Sequence, residues 1–209
     1  MDPRLRMVDE QLRARNIRDE RVLAAFERVP RHEFVPEQSR AYAYEDCPVP
    51  IGFEQTASQP YVVALTVEAL ELRGGERVLD VGAGSGYAAA ILACLAREVH
   101  AIERIPELAR GAAERLARLG FANVHVHEGD GALGWPEAAP FDAIAVAAAA
   151  PRVPVALYAQ LAIGGRLVAP IGDVHDQQLV YVVRRARDRY EERELGSVRF
   201  VPLVTASQE

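Results

Sequence analysis

The sequence contains no lysine, so all 24 of its basic residues are arginine. Schiff-base and pyridoxal-phosphate chemistry needs a lysine amine, and the Walker phosphate loop needs a lysine at its phosphates, so both mechanisms are excluded. The arginine and alanine usage is itself compositional, as expected of a GC-rich genome. Cysteine is nearly absent. Cys47 and Cys94 lie 47 positions apart and outside any Cys-x-x-Cys pair, which argues against a disulfide framework or a zinc knuckle and for free thiols in a reducing compartment. No apolar run approaches the ~20 residues that span a bilayer, and the opening MDPRLRMVDE lacks a signal-peptide h-region, so a cytoplasmic protein is expected. Positive charge is not in excess: the net charge of −6 disfavours nucleic acid as a partner, and the basic stretch RRARDR at 184–189 reads as a solvated strand end.

At 209 residues, half of them hydrophobic, the chain suits one domain over 1–209, with an elaborated N-terminal part to residue 60 and a core over 61–209. Residues 4–28 read as helices: Leu5, Val8 and Leu12 fall at helical spacing, then Val22, Leu23 and Phe26 after the polar break IRDE at 17–20. Prolines at 30, 36, 48, 50 and 60 mark an irregular passage. Thr56 or Ser58 followed by Pro60 signals the start of a helix over 61–70. From Arg77 the pattern alternates: strands at 77–82, 99–103, 124–128 and 141–147, and helices at 87–96, 106–119 and 154–162. That alternation predicts an α/β fold with a doubly wound, mostly parallel sheet. Strands at 166–172, 178–186 and 198–204 follow, the last two as an antiparallel hairpin at the sheet edge.

In LDVGAGSG at 79–86 a strand runs into Gly82, Gly84 and Gly86 and then a helix, so backbone can approach a ligand and helix N–H groups can point at it. The third glycine of a dinucleotide fingerprint would fall on Tyr87, so the motif fits Gly-x-Gly-x-Gly, usual for S-adenosylmethionine. Glu103 ends the second strand 21 residues beyond Gly82, where a carboxylate can accept both ribose hydroxyls of an adenosine; a solvated strand-end charge is the alternative. Asp130, in EGDG at 128–131, suits the adenine amino group or an ordinary Asp-Gly turn. Asp80 lies inside the first strand, and a buried carboxylate there needs a cationic amine, such as a methionine ammonium, or backbone N–H groups. His125 and His127 share one strand face, as metal ligands or as surface histidines; no third ligand stands at suitable spacing, so no metal site is expected. A nicotinamide oxidoreductase and a non-catalytic nucleotide-binding module remain the competing readings.

The run VPIGFEQTASQPYVVA at 49–64, with the glycine turn, Glu103-Arg104, EGDG at 128–131, FDAIAVAAAAPRVP at 141–154 and VRFVPLV at 198–204, resembles the protein-L-isoaspartate O-methyltransferases from about residue 5 to residue 204. The resemblance implies a Rossmann-like methyltransferase core with an N-terminal lid and C-terminal edge strands. It implies S-adenosylmethionine as cofactor, with contacts from Gln55, Thr56, Ser58, Asp80, Gly82, Gly84, Gly86, Glu103, Arg104, Asp130 and Gly131. Substrate contacts are implied at Ile51, Gly52, Thr56, Ser58, Val201, Pro202 and Leu203, and Ser58 is the candidate active-site residue, with a helix N-cap as its structural alternative. Val204 stands where some family members carry a hydroxyl residue. The implied reaction methylates the free α-carboxylate of L-isoaspartyl residues in damaged proteins and peptides, giving an ester that collapses to a succinimide. A monomer without membrane or nucleic-acid partners is expected; another S-adenosylmethionine-dependent methyltransferase of small molecules or proteins is the nearest alternative within the class.

Overall fold

In the computed structural model, which describes residues 2–204, the N-terminal helices are short and irregular. Helix α1 (Pro3–Met7) starts where the Asp2 carboxylate accepts the Arg4 N–H at 2.8 Å. It widens into a π-helical turn over Val8–Leu12, tightens over Arg13–Arg15 and ends at Asn16, whose φ of 69° is left-handed. Helix α2 (Glu20–Arg28) is capped by Asp19 and turns Val22, Leu23, Ala25 and Phe26 inward. With Met7 and Leu12 these residues join the large core on one face of the sheet, and burial of each such large side chain contributes about 1.5–3 kcal/mol.

The proline-rich passage is not wholly irregular. Two short strands, β1 (Val49–Gly52) and β2 (Gln55–Ala57), form an antiparallel hairpin. Its turn residues Phe53 and Glu54 both have positive φ, 52° and 59°. The hairpin has its own small core of Val49, Ile51 and Ala57 against Val35, Ala43 and Leu108. Helix α3 (Pro60–Ala69) follows, with Gln59 at its N-cap and no side-chain capping bond, so neither Thr56 nor Ser58 caps it. Pro60 occupies the first turn, where its missing N–H has no intrahelical role.

The remainder alternates as expected: β3 (Arg77–Val81), α4 (Tyr87–Ala93), β4 (Glu98–Glu103), α5 (Pro106–Arg118), β5 (Val124–Glu128), β6 (Phe141–Val146), α6 (Val155–Gln160), β7 (Leu161–Gly172), β8 (Gln177–Ala186) and β9 (Arg189–Val198). The sheet order is β5-β4-β3-β6-β7-β8-β9, parallel from β5 to β7 and antiparallel beyond. Successive strands run outward from β3 in both directions, which opens a crevice beyond the carboxyl ends of β3, β4 and β6.

The last strand departs from expectation. The partner of β8 is Arg189–Val198, not 198–204. Both faces of this edge strand are largely solvated, so charge covers it on both sides, a device that protects a sheet edge and hides the usual apolar alternation. Residues 199–204 instead cross the mouth of the crevice. Ala149 N–H donates to Val201 O at 2.8 Å and Leu203 N–H to Ala149 O at 2.7 Å. Among the described residues no helix is long and apolar enough to cross a membrane.

Candidate active site

At the end of β3 the chain turns through Gly82, Gly84 and Gly86 with φ of 84°, 54° and 87°. A Cβ at Gly84 would lie 3.1 Å from the Ile51 side chain, so the turn leaves room for the hairpin. At Gly86 the Cβ would lie 3.0 Å from Leu116 and 3.3 Å from Ala112, so this glycine admits α5. The first N–H groups of the turn are used internally: Gly82 and Ala83 donate to Ile102 O, and Gly84 to Glu103 Oε2 at 2.8 Å. At these three positions a ligand meets backbone surface whose N–H groups are already used.

Above the turn lies a cavity of about 410 Å³. It gathers Gln55, Thr56, Ser58, Asp80, Gly82, Gly84, Glu103, Arg104, Gly131, Val201, Pro202 and Leu203 from five separate stretches of chain. Four residues expected at the site do not line it. Gly86 faces α5, and Ile51 packs beneath the hairpin. Gly52 is exposed beside the hairpin turn, and Asp130 accepts Ala132 N–H at 2.9 Å as the cap of the turn at Gly131–Leu133.

Two carboxylates set the electrostatics. Asp80 is wholly buried, and neither of its oxygens makes a hydrogen bond. Loss of solvent, with the Glu103 charge added, pushes its pKa up to about 7. Such an orphaned acid requires a cation or donors that the described residues do not supply. Glu103, 7% exposed, is differently placed: its oxygens accept the N–H groups of Gly84 and Ile105, at 2.8 and 2.9 Å. Each oxygen retains a lone pair that a hydroxyl can reach. The cavity therefore pairs an unmet need for a cation with a fixed, partly satisfied carboxylate.

A second cavity, about 740 Å³, adjoins the first and shares Thr56, Ser58, Ala147, Phe200 and Val201 with it. The Ser58 hydroxyl makes no hydrogen bond within the described residues and borders both spaces. Sequence reasoning missed Thr66 and the small-residue wall at 145–148 of the first cavity, and Arg15, Tyr61 and Gln177 of the second. A lone threonine in the apolar run YVVALTVEAL was a usable signal for Thr66; the alanines carry no comparable mark. Tyr87, read only as an obstacle to a dinucleotide fingerprint, lines the first cavity.

The strand histidines lie elsewhere. His127 stacks on Trp135 at 4.0 Å and bonds to His100 at 3.0 Å, while His125 lies 3.6 Å from Glu98. Among the described residues no three histidine, cysteine or acidic side chains converge as metal ligands would.

Comparison with known proteins follows the same lines. The family model "Protein-L-isoaspartate(D-aspartate) O-methyltransferase" matches residues 4–208. A protein-L-isoaspartate O-methyltransferase 2 of Marinobacter nauticus is 62% identical over 204 residues, 97% of this chain and 93% of that one. A protein-L-isoaspartate O-methyltransferase of Rhodopseudomonas palustris is 56% identical over 201 residues, 96% and 92% of the two chains. Among solved structures, one described as a putative protein-L-isoaspartate O-methyltransferase of Plasmodium falciparum in complex with S-adenosyl-L-homocysteine superposes with a TM-score of 0.82 at 26% identity, covering 96% of this chain and 98% of the other.

Proposed function

The chain belongs to the protein-L-isoaspartate(D-aspartate) O-methyltransferase family, and from that premise we propose how its two adjoining cavities divide the work of methylating L-isoaspartyl residues. Asp80 carries the assignment of the first cavity to S-adenosylmethionine. A wholly buried carboxylate with no partner of its own fits the ligand's methionine ammonium. Glu103 would hold the ribose hydroxyls, and Thr56, Ser58, Arg104 and Gly131 would close the remaining wall. When bound, the sulfonium supplies an activated methyl donor.

The second cavity supplies the acceptor's path. Because it meets the first at Thr56, Ser58, Ala147, Phe200 and Val201, a peptide lying in it brings its carboxylate to that seam. The seam is where Ser58 can orient the acceptor with an otherwise unused hydroxyl. An α-carboxylate, with a pKa of about 3.5, is ionised near neutrality, so no group of the protein has to remove its proton. Positioning and exclusion of water then carry most of the acceleration. The segment Val201-Pro202-Leu203, tied to Ala149, forms a fixed wall that can distinguish the backbone path of isoaspartate from that of aspartate. We place the enzyme in the cytoplasm as a one-domain monomer acting on isoaspartyl proteins and peptides and not on nucleic acid.

The decisive test is incubation with methyl-labelled cofactor and two peptides identical except for Asp against L-isoAsp. Label on the isoaspartyl peptide alone is expected; equal labelling of both would overturn this reading of the acceptor site.

A further inference from the structure

Ser58 reaches the seam between the cavities only if its backbone is held there, and the group that holds it lies outside both. Arg31 is fully buried in the turn at Arg31–Phe34. Its Nε donates to Ala43 O at 2.7 Å, and its Nη2 donates to Ser58 O at 2.8 Å and Ala57 O at 3.4 Å. Its guanidinium carbon sits 4.7 Å from the centre of the Tyr87 ring. Tyr87 in turn opens α4, lines the first cavity and packs edge-on against Phe26 and Phe34.

This is an unusual use of a cation. Among the described residues no carboxylate pairs with Arg31, and neither its Nη1 nor the Tyr87 hydroxyl makes a hydrogen bond. Burying a charge without a counter-charge is unfavourable by several kcal/mol unless other groups offset it. Here the offset comes from three carbonyl oxygens and a ring face. The planar fork meets the two segments from two nitrogens at a fixed separation, which lysine's single ammonium does not reproduce.

We propose that Arg31 is a positioning residue: it fixes the Ser58 backbone at the seam and ties the lid hairpin to the aromatic wall of the cofactor cavity. The inference rests on the reading of Ser58 and of the two cavities given above. Tyr87 lines the first cavity and would meet a cofactor bound there; it backs the guanidinium, and the guanidinium holds Ala57 and Ser58. Occupancy of one cavity thereby sets the geometry of its border with the other.

Arg31→Lys keeps the charge but not the fork. Its kcat per folded molecule on an isoaspartyl peptide should fall about tenfold or more, as expected when a reacting group is displaced by about 1 Å. Its affinity for S-adenosylhomocysteine should weaken too, because the coupling is reciprocal, but by less than kcat falls. A role in stability alone would lower the melting temperature and leave kcat per folded molecule unchanged, and that result overturns the proposal. Hydrogen exchange on the wild type needs neither the variant nor the transfer reaction. Saturating S-adenosylhomocysteine should slow exchange across 55–59 and across 31–34 together, although 31–34 does not line the cavity. Protection of 55–59 alone would refute the link. Failure of the wild type to methylate any isoaspartyl peptide would refute the functional reading, and the exchange result would still decide the role of Arg31.

Discussion

Replacing Asp80 by asparagine should make the cofactor-free protein more stable at pH 8 and a worse binder of its cofactor. The folded protein holds the Asp80 proton up to a pH of about 7 because the carboxylate is buried without partners and faces Glu103. In the unfolded chain an aspartate releases that proton at about 3.9. Between those values the folded state binds more protons than the unfolded state, so stability falls as pH rises from about 4 to about 7. At about 1.4 kcal/mol for each tenfold in proton affinity, the interval corresponds to about 4 kcal/mol above pH 7. Asparagine resembles the protonated acid and avoids the penalty. The variant's advantage should be near zero at pH 4 and reach its full value above pH 7, a rise in melting temperature on the order of 10 °C for a domain of this size.

Binding should move the other way. An ammonium ligand favours ionised Asp80, so wild-type affinity for S-adenosylhomocysteine should weaken about tenfold for each pH step below 7, where the acid must first lose its proton. Asp80→Asn removes a charge-assisted bond of roughly 2 kcal/mol, about thirtyfold in affinity at pH 8, and removes that acid limb. Thermal melts of both proteins between pH 4.5 and 8.5, with calorimetry of the product cofactor, measure both effects. A stability difference that does not change with pH, or an affinity unchanged by the substitution, would refute the assignment of Asp80 to the ligand's ammonium.

Ser58→Ala should lower kcat about tenfold while leaving cofactor affinity and melting temperature nearly unchanged, because the hydroxyl caps no helix and bonds to nothing in the fold; a large loss of stability with normal turnover would point to a structural role. Glu103→Gln should weaken S-adenosylhomocysteine binding by about 1–3 kcal/mol and also loosen the turn that its two oxygens hold through Gly84 and Ile105. Unchanged calorimetric affinity would remove it from the ribose site. For the wild type, kcat followed by release of demethylated cofactor should be flat from about pH 5.5 to 8.5, since the acceptor is already ionised; a steep rise through neutrality would show that a base is required.

How far the sequence disclosed this architecture depended on whether each element has two different faces. Strands β3 to β6 carry apolar runs bounded by turns, and their positions were readable to within a residue or two. Strand β9 was not, because arginines and glutamates occupy both of its faces. The hairpin at 49–57 was hidden by strands of only four and three residues, the first containing Pro50 and Gly52. The site followed a similar rule. Asp80 and Glu103 were visible because a carboxylate at a strand end is chemically distinctive, whereas the alanines of the β6 end and Thr66 contribute shape. Arg31 was invisible among 24 arginines; its burial exists only in three dimensions.

Several departures from ordinary folding chemistry lie at the β1–β2 hairpin and the cavity beneath it. Phe53 and Glu54 occupy left-handed conformations that Asn-Gly would adopt more readily. Arg31 is a buried cation without a carboxylate, and Asp80 is a buried acid without a donor. Arg31 is met by lid carbonyls, so its strain is resolved inside the chain and serves to place Ser58. Asp80 has no internal resolution, and a fold selected for stability alone would not keep it. A cationic amine entering that cavity would remove the penalty at the moment it binds. On the proposed assignment, filling that cavity would therefore stabilise the end of β3 from which the glycine turn is built.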